Sequence, residues 1–186
     1  MRCFLAVELP RPLRDSLATA ISRLQGQLPP ARWVKAEGLH ITLKFLGEQG
    51  EREVAALVSH LERGLKGVVF PVTVSLQGGG FFPDSSRPRV AWIGGAAPGL
   101  ESWAAAAEEA AQAIGVPRES RPFSLHVTLA RLERSWPAAA CERFLGELSS
   151  LALPPFPAGE VVLFSSTLRP GGAVYTPQLR LPVGGR

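Results

Sequence analysis

His40-Ile41-Thr42-Leu43 and His126-Val127-Thr128-Leu129 are two copies of one pattern, His-x-Thr-Leu, 86 residues apart. Each copy lies in a run of branched and aliphatic residues, which predicts a β-strand. Because side chains alternate between the two faces of a strand, each histidine shares a face with its threonine. The aliphatic residues occupy the other face, which we expect to be buried, so both His–Thr pairs lie on the side away from the core.

The same 86-residue shift superposes the predicted elements around the two motifs. A helix that begins near Pro12 falls on one near Pro98, and a helix from Arg52 falls on one from Ala138. Agreement of element order and of a tetrapeptide at one offset indicates an internal duplication. Each half is too small to bury a good core alone. We therefore predict an α+β fold of two pseudo-two-fold-related lobes, each an antiparallel sheet with outer helices, around a central cleft.

The length of 186 residues fits one domain, residues 1–186, made of two interleaved lobes with motif halves at approximately 1–77 and 88–186. A strand is predicted over Val68–Leu76. The following segment, Gln77–Pro88, is rich in turn-forming residues, which predicts an irregular linker. Its three consecutive glycines would let backbone approach a phosphate, but the segment lacks the strand–loop–helix context of a nucleotide-binding loop.

Composition limits the partners and the cellular compartment that we expect for the protein. The formal charge of +4 and a pI near 9.7 permit anionic partners without requiring them. The two cysteines, Cys3 and Cys141, form neither a metal-binding spacing nor a disulfide framework. No apolar stretch approaches the roughly 20 residues that span a bilayer. We expect a cytoplasmic monomer with no membrane partner.

Two histidines and two threonines in one cleft suit reactions at a phosphorus centre. With an ordinary pKa near 6.5, one imidazole can act as general base and the other as general acid. Hydroxyls of Thr42 and Thr128 can donate hydrogen bonds to non-bridging phosphate oxygens. This chemistry requires no metal ion.

Three other interpretations compete with catalysis. The histidines could be hydrogen-bonded structural residues, as single strand histidines usually are. They could bind zinc, although no carboxylate or cysteine accompanies either motif at ligand spacing. The protein could also be a non-catalytic RNA-binding module, in which the basic residues of the cleft only bind RNA. The third histidine, His60, lies in a predicted helix outside any motif.

The motifs and their flanks resemble the 2H phosphoesterase superfamily, and within it the RNA 2′,3′-cyclic phosphodiesterases, historically called 2′-5′ RNA ligases. The resemblance covers nearly the whole chain. It is carried by Arg2-Cys3-Phe4-Leu5-Ala6-Val7, Leu39-His40-Ile41-Thr42-Leu43-Lys44-Phe45-Leu46-Gly47-Glu48 and His126-Val127-Thr128-Leu129-Ala130-Arg131. It includes the late segments Leu163-Phe164-Ser165-Ser166 and Gly172-Ala173-Val174-Tyr175.

The resemblance implies hydrolysis of a 2′,3′-cyclic phosphate to a 2′-phosphomonoester, without cofactor or metal, and a reverse 2′-5′ ligation. By this resemblance, His40 donates a proton to the leaving 3′ oxygen and His126 activates water, while Thr42 and Thr128 hold the phosphate. The implied partner is RNA with a 2′,3′-cyclic phosphate end or a small nucleotide. Alternative substrates are a small cyclic nucleotide and a tRNA-splicing product.

Two cations near the motifs are candidate substrate-binding residues. Lys44 shares the strand parity of His40 and Thr42, so we expect it to face the cleft. Arg131 matches an arginine of the family motif, but in a regular strand it points away from His126. Further residues that could rim the cleft and bind an RNA backbone are Arg32, Lys35, Arg87, Arg89, Arg118 and Arg121. Candidates for stacking on a base, for which core packing is the alternative, are Phe45, Phe81, Phe82 and Trp92.

Overall fold

A computed structural model describes residues 1–184, which form two antiparallel sheets and four α-helices. The strands are β1 (Arg2–Glu8), β2 (Arg32–Trp33), β3 (His40–Glu48), β4 (Val72–Phe82), β5 (Val90–Ala96), β6 (Val127–Arg131), β7 (Phe156–Ala158), β8 (Glu160–Arg169) and β9 (Gly172–Pro182). The helices are α1 (Arg11–Gln25), α2 (Glu51–Gly64), α3 (Leu100–Ala113) and α4 (Ala138–Ser149). Short 3₁₀ turns lie at Ala36–Gly38 and Leu65–Gly67.

The two motif strands belong to different sheets. The first sheet has the order β3-β1-β8-β9, and the second has the order β2-β6-β5-β4-β7. Every described pairing is antiparallel. β3 and β6 contact each other where the sheets meet, which brings the two His-x-Thr copies to the junction. The predicted α+β fold with two antiparallel sheets is confirmed.

Strands from both halves of the chain build each sheet. β4, which completes the first half, pairs with β5 in the second sheet. β8 and β9, which complete the second half, join β1 in the first sheet. Each sheet therefore depends on chain segments that are far apart in sequence.

The core lies on the sheet faces turned away from the motif histidines. Ile41 and Val127, which separate each histidine from its threonine, are both fully buried, as strand parity predicts. The α3 helix packs on β3, and α4 packs on β4. The leucine stripe of α1 is buried through Leu13, Leu17 and Leu24. Burial of these faces supplies most of the hydrophobic stabilisation. No helix among the described residues has both the length and the apolar character needed to cross a membrane.

The structure corrects the predicted linker. β4 begins at Val72 rather than Val68 and continues to Phe82, through the first half of the segment expected to be irregular. Gly78 has φ of +77°, a conformation that glycine adopts without a Cβ penalty, at a register irregularity in the β4–β5 ladder. A Cβ at Gly79 would come within 2.7 Å of Leu148. These glycines therefore serve a bulged, closely packed strand and not a phosphate-binding loop.

Candidate active site

A cavity of about 220 Å³ opens where the two sheets meet. Both sheets and the 3₁₀ turn before β3 contribute to its wall. The lining residues are Val34, Gly38, His40, Thr42, Phe45, Phe82, Val90, His126, Thr128, Arg131 and Tyr175. Both predicted His–Thr pairs are thus brought together in one cavity.

A backbone carbonyl two residues upstream orients each histidine. His40 Nδ1 lies 2.7 Å from the Gly38 oxygen, and His126 Nδ1 lies 2.8 Å from the Ser124 oxygen. A carbonyl oxygen can only accept a hydrogen bond, so each Nδ1 carries hydrogen and donates it. In the neutral rings the free lone pair is therefore on Nε2. Both imidazoles thus have Nε2 as the atom that can gain or lose a proton.

Aromatic side chains enclose His40. The Phe4 ring lies 4.7 Å from the His40 ring, and Tyr175 meets it edge-on at 5.3 Å, both between centroids. Burial is the main reason that the pKa of His40 is lowered to about 4, with the nearby charges of His126 and Arg131 acting in the same direction. The hydrogen bond to Gly38 opposes this change. His40 is consequently neutral near pH 7 in the free protein.

The neutral His40 has a hydrogen-bond donor at its reactive nitrogen. Thr42 Oγ1 lies 2.8 Å from His40 Nε2. Because Nε2 of the neutral ring is an acceptor, the Thr42 hydroxyl donates to it. Protonation of His40 would reverse this bond, leaving the Thr42 oxygen as acceptor and freeing its hydrogen for another acceptor. The hydroxyl can thus follow the protonation state of the imidazole.

His126 is supported by a different pair of rings. Phe82 meets the His126 ring edge-on at 4.9 Å, and Trp92 lies 6.3 Å from it, both between centroids. Trp92 fits because Gly80 has no side chain: a Cβ at Gly80 would collide with the indole ring. The glycine run noted in the sequence therefore contributes to the support of His126 through Trp92.

Both motif strands contain a bulge directly after the His-x-Thr pattern. In β3 the partner of Ala6 is Thr42 but the partner of Leu5 is Lys44, so one residue is skipped. In β6 the partners of Trp92 and Ala91 are Thr128 and Ala130, which skips the equivalent residue. Such an extra residue shifts side-chain alternation by one position.

The bulges reverse the orientations expected from the sequence for the two candidate substrate-binding cations, Lys44 and Arg131. Arg131, which regular alternation turns away from His126, lines the cavity instead. Lys44 is on the opposite face, is only 4% exposed, and does not line the cavity. Its Nζ lies 2.7 Å from Glu108 Oε1 and donates to the Pro117 carbonyl at 2.8 Å. The expectation that Lys44 faces the cleft is therefore wrong.

The aromatic candidates also separate into two groups. Phe45 follows His40 by five residues, as Arg131 follows His126, so the two residues take equivalent positions after the two bulges. Phe45 lines the cavity and is 64% exposed. Phe82 lines the cavity, whereas Phe81 is buried against Phe144 in the core. Strand parity did not identify Tyr175 as a lining residue, because it comes from the distant β9. The resemblance included its segment, Gly172–Tyr175, but gave this residue no role.

The cavity offers few ligands for a metal ion. Among residues 1–184 there is no group of three or more histidine, cysteine, aspartate or glutamate side chains placed to hold one. The described lining contributes two imidazoles, two threonine hydroxyls, one tyrosine and one guanidinium, and no carboxylate. A cationic, hydroxyl-rich lining suits an anion.

Comparison with known proteins identifies the family to which the chain belongs. Residues 7–92 and 94–175 match the family model described as LigT like phosphoesterase. An RNA 2′,3′-cyclic phosphodiesterase of Archaeoglobus fulgidus is 33% identical over 177 residues, which cover 94% of this chain and 96% of that protein. One of Thermus thermophilus is 34% identical over 184 residues, covering 95% and 87%.

Solved structures show the same fold. A crystal structure of a Thermus thermophilus protein has a TM-score of 0.76 and 29% identity, covering all of this chain and 99% of that one. Escherichia coli LigT complexed with 3′-AMP has a TM-score of 0.73 and 28% identity, covering 99% and 98%. Since the family match runs through both motif copies and both sheets, the chain belongs to the LigT-like phosphoesterases of the 2H superfamily.

Proposed function

We propose that the protein hydrolyses 2′,3′-cyclic phosphate ends of RNA to 2′-phosphomonoesters, with His40 and His126 as general acid and base and without a metal ion. One observation carries the proposal: both imidazoles have Nδ1 fixed by a carbonyl, and both rings line one cavity. The curated relatives named RNA 2′,3′-cyclic phosphodiesterase supply the substrate class.

The reaction needs one proton acceptor and one proton donor. One imidazole Nε2 removes a proton from water as its oxygen attacks phosphorus. The bond from phosphorus to the 3′ oxygen breaks, and the second imidazole delivers a proton to that oxygen. The products are a 2′-phosphomonoester and a free 3′-hydroxyl. In ligation, a 5′-hydroxyl takes the place of water, the same bond from phosphorus to the 3′ oxygen breaks, and a 2′,5′-phosphodiester with a free 3′-hydroxyl forms.

The threonines and Arg131 are proposed to hold the phosphate. Thr42 and Thr128 each follow a histidine by two residues and line the cavity, so their hydroxyls can donate to non-bridging oxygens as charge develops there. The Arg131 guanidinium at the same wall supplies positive charge. The exposed ring of Phe45 is a surface on which the terminal base can stack.

The roles of the two histidines follow from the family resemblance, in which His40 is the donor and His126 the base. In the free protein, however, the low pKa of His40 leaves its Nε2 without a proton. As donor, His40 must take up a proton together with the anionic phosphate, whose charge favours the imidazolium. The same low pKa supports the reverse assignment, in which neutral His40 activates water.

The proposal is tested on a short RNA that ends in a 2′,3′-cyclic phosphate. His40→Ala and His126→Ala are each expected to reduce kcat by about 10²–10⁴-fold, the usual contribution of a general acid or base. His60→Ala, an exposed histidine on α2, is the matched control and should leave the rate unchanged. Wild-type rates in both motif variants, or loss of activity in EDTA, would overturn the proposal.

The pH dependence of kcat/KM in the same variants assigns the two roles. A general base must be deprotonated, so its removal abolishes the fall in rate at low pH; removal of the acid abolishes the fall at high pH. If His40 is the donor, the His40→Ala profile loses its alkaline limb. Loss of its acidic limb assigns His40 as the base.

A further inference from the structure

We infer that the β8–β9 hairpin extends the cavity into a platform for the nucleotides that precede the cyclic phosphate, so that the protein prefers RNA oligonucleotides to mononucleotides. The inference rests on the proposed function and adds a substrate length to it. Three observations carry it: the hairpin is continuous with the cavity, its far end has an exposed apolar side chain on the cavity side, and a lysine ammonium group flanks that end.

Tyr175 makes the hairpin continuous with the cavity. It belongs to β9, lines the cavity beside His40, and pairs with Ser166 of β8. The β8–β9 register is regular from Phe164 to Arg169, so Phe164, Ser166 and Leu168 share one face. Phe164 stacks on Phe4 at 5.4 Å, beside His40, which identifies this face as the cavity side.

Leu168 lies beyond the cavity on that face. It is four positions along β8 from Phe164, which is a distance of about 13 Å at the usual rise of a strand. It is 77% exposed and is absent from the cavity lining. A large apolar side chain in this position can contact a base of the RNA that leads to the cyclic phosphate. Such a contact tolerates any RNA sequence, because every base has a flat face that can pack on it.

Positive charge is concentrated at the same end of the hairpin. A Cβ at Gly171, in the hairpin turn, would be 3.6 Å from Lys35 Nζ, so the turn lies beside this ammonium group. Within the described part of the chain, Lys35 has no carboxylate oxygen within 4.0 Å. Arg169 also lies at this end, but the alternation that puts Leu168 on the cavity side puts Arg169 on the opposite face. Arg180, nearer the other end of β9, is instead bound to Glu8 and Glu160 at 2.6 Å each.

This distribution of charge favours a chain of phosphates. A cyclic mononucleotide has a single phosphate, which the threonines and Arg131 are proposed to hold. Lys35 would therefore have no phosphate to bind in a mononucleotide complex. An oligonucleotide supplies further phosphates along the hairpin, and each contact adds salt-dependent affinity.

The test compares a nucleoside 2′,3′-cyclic phosphate with a short single-stranded RNA that has the same terminal nucleotide. Wild type is expected to show a kcat/KM at least about tenfold higher for the RNA, an advantage that falls as salt rises. Lys35→Ala should lower kcat/KM for the RNA several-fold (on the order of one lost phosphate contact), mainly through KM, and leave the mononucleotide unchanged. Leu168→Ser should act in the same direction without a change of charge.

Lys66→Ala is the matched control. It removes the same charge from an exposed residue of the 3₁₀ turn after α2, which does not line the cavity, and it should change neither substrate. Equal kcat/KM of wild type on both substrates, an equal loss on both substrates in Lys35→Ala or Leu168→Ser, or a changed oligomeric state of either variant would overturn the platform while the proposed function stands. Hydrolysis of neither substrate would overturn both.

Discussion

At the scale of single residues, the enclosure of His40 couples stability to pH. Its pKa is about 4 in the folded protein, against an ordinary value of 6.5, so between these values the unfolded chain binds the additional proton. Stability from this residue is therefore fully present above pH 6.5 and is lost as pH falls toward 4. The loss is expected to be on the order of 3 kcal/mol.

The measurement is the free energy of unfolding by denaturant at several pH values between 4 and 7. His40→Asn, which retains a donor for the Gly38 carbonyl, should show a weaker decline toward acid than wild type does. The difference between the two proteins removes the contribution of carboxylates, which titrate in the same range. Parallel pH dependences would show that His40 is not held neutral.

At the scale of elements, the buried ammonium of Lys44 joins β3 to the segment after α3. Glu108 Oε1 accepts from both Lys44 Nζ and the Glu119 backbone N–H, so one carboxylate holds the strand and the segment that leads to His126. Lys44→Met leaves this carboxylate without its cation in a largely buried place. We expect a loss of about 3–5 kcal/mol in the free energy of unfolding.

A compensating variant isolates the cause of that loss. Lys44→Met/Glu108→Gln leaves no unpaired buried charge, because Glu119, whose carboxylate lies 3.7 Å from Lys44 Nζ, is exposed to solvent. It also retains a side-chain oxygen for the Glu119 N–H, so much of the lost stability should return. Denaturant unfolding of wild type, single and double variants measures both effects. If Lys44→Met is as stable as wild type, the attraction within the ion pair does not exceed the free-energy cost of removing its two charges from water.

The bulges show where prediction from the sequence ends. Period-two alternation correctly placed His40 with Thr42 and Ile41 in the core, because those side chains lie within one regular stretch. It misplaced Lys44 and left Arg131 facing away, because a bulge arises in the pairing with a neighbouring strand. That pairing depends on residues distant in sequence, which no local pattern reveals.

At the scale of the whole molecule, the duplication predicted two antiparallel sheets, and it could not predict how strands are shared between them. Nothing in the composition of β4 or β9 indicates which sheet it joins, because either sheet offers a similar apolar face. For the same reason Tyr175 was missed as a wall of the cavity, and the carbonyls that fix the imidazoles became visible only with the backbone in place.

The sharing of strands has a consequence for how the protein unfolds. Unfolding of the first half of the chain alone would take β1 away from β8 in the first sheet and β4 away from β5 in the second, so neither sheet stays complete when one half unfolds. The two sheets should therefore melt together, in one cooperative transition. Circular dichroism, tryptophan fluorescence and residual activity should give a single midpoint, and two separate midpoints would contradict it.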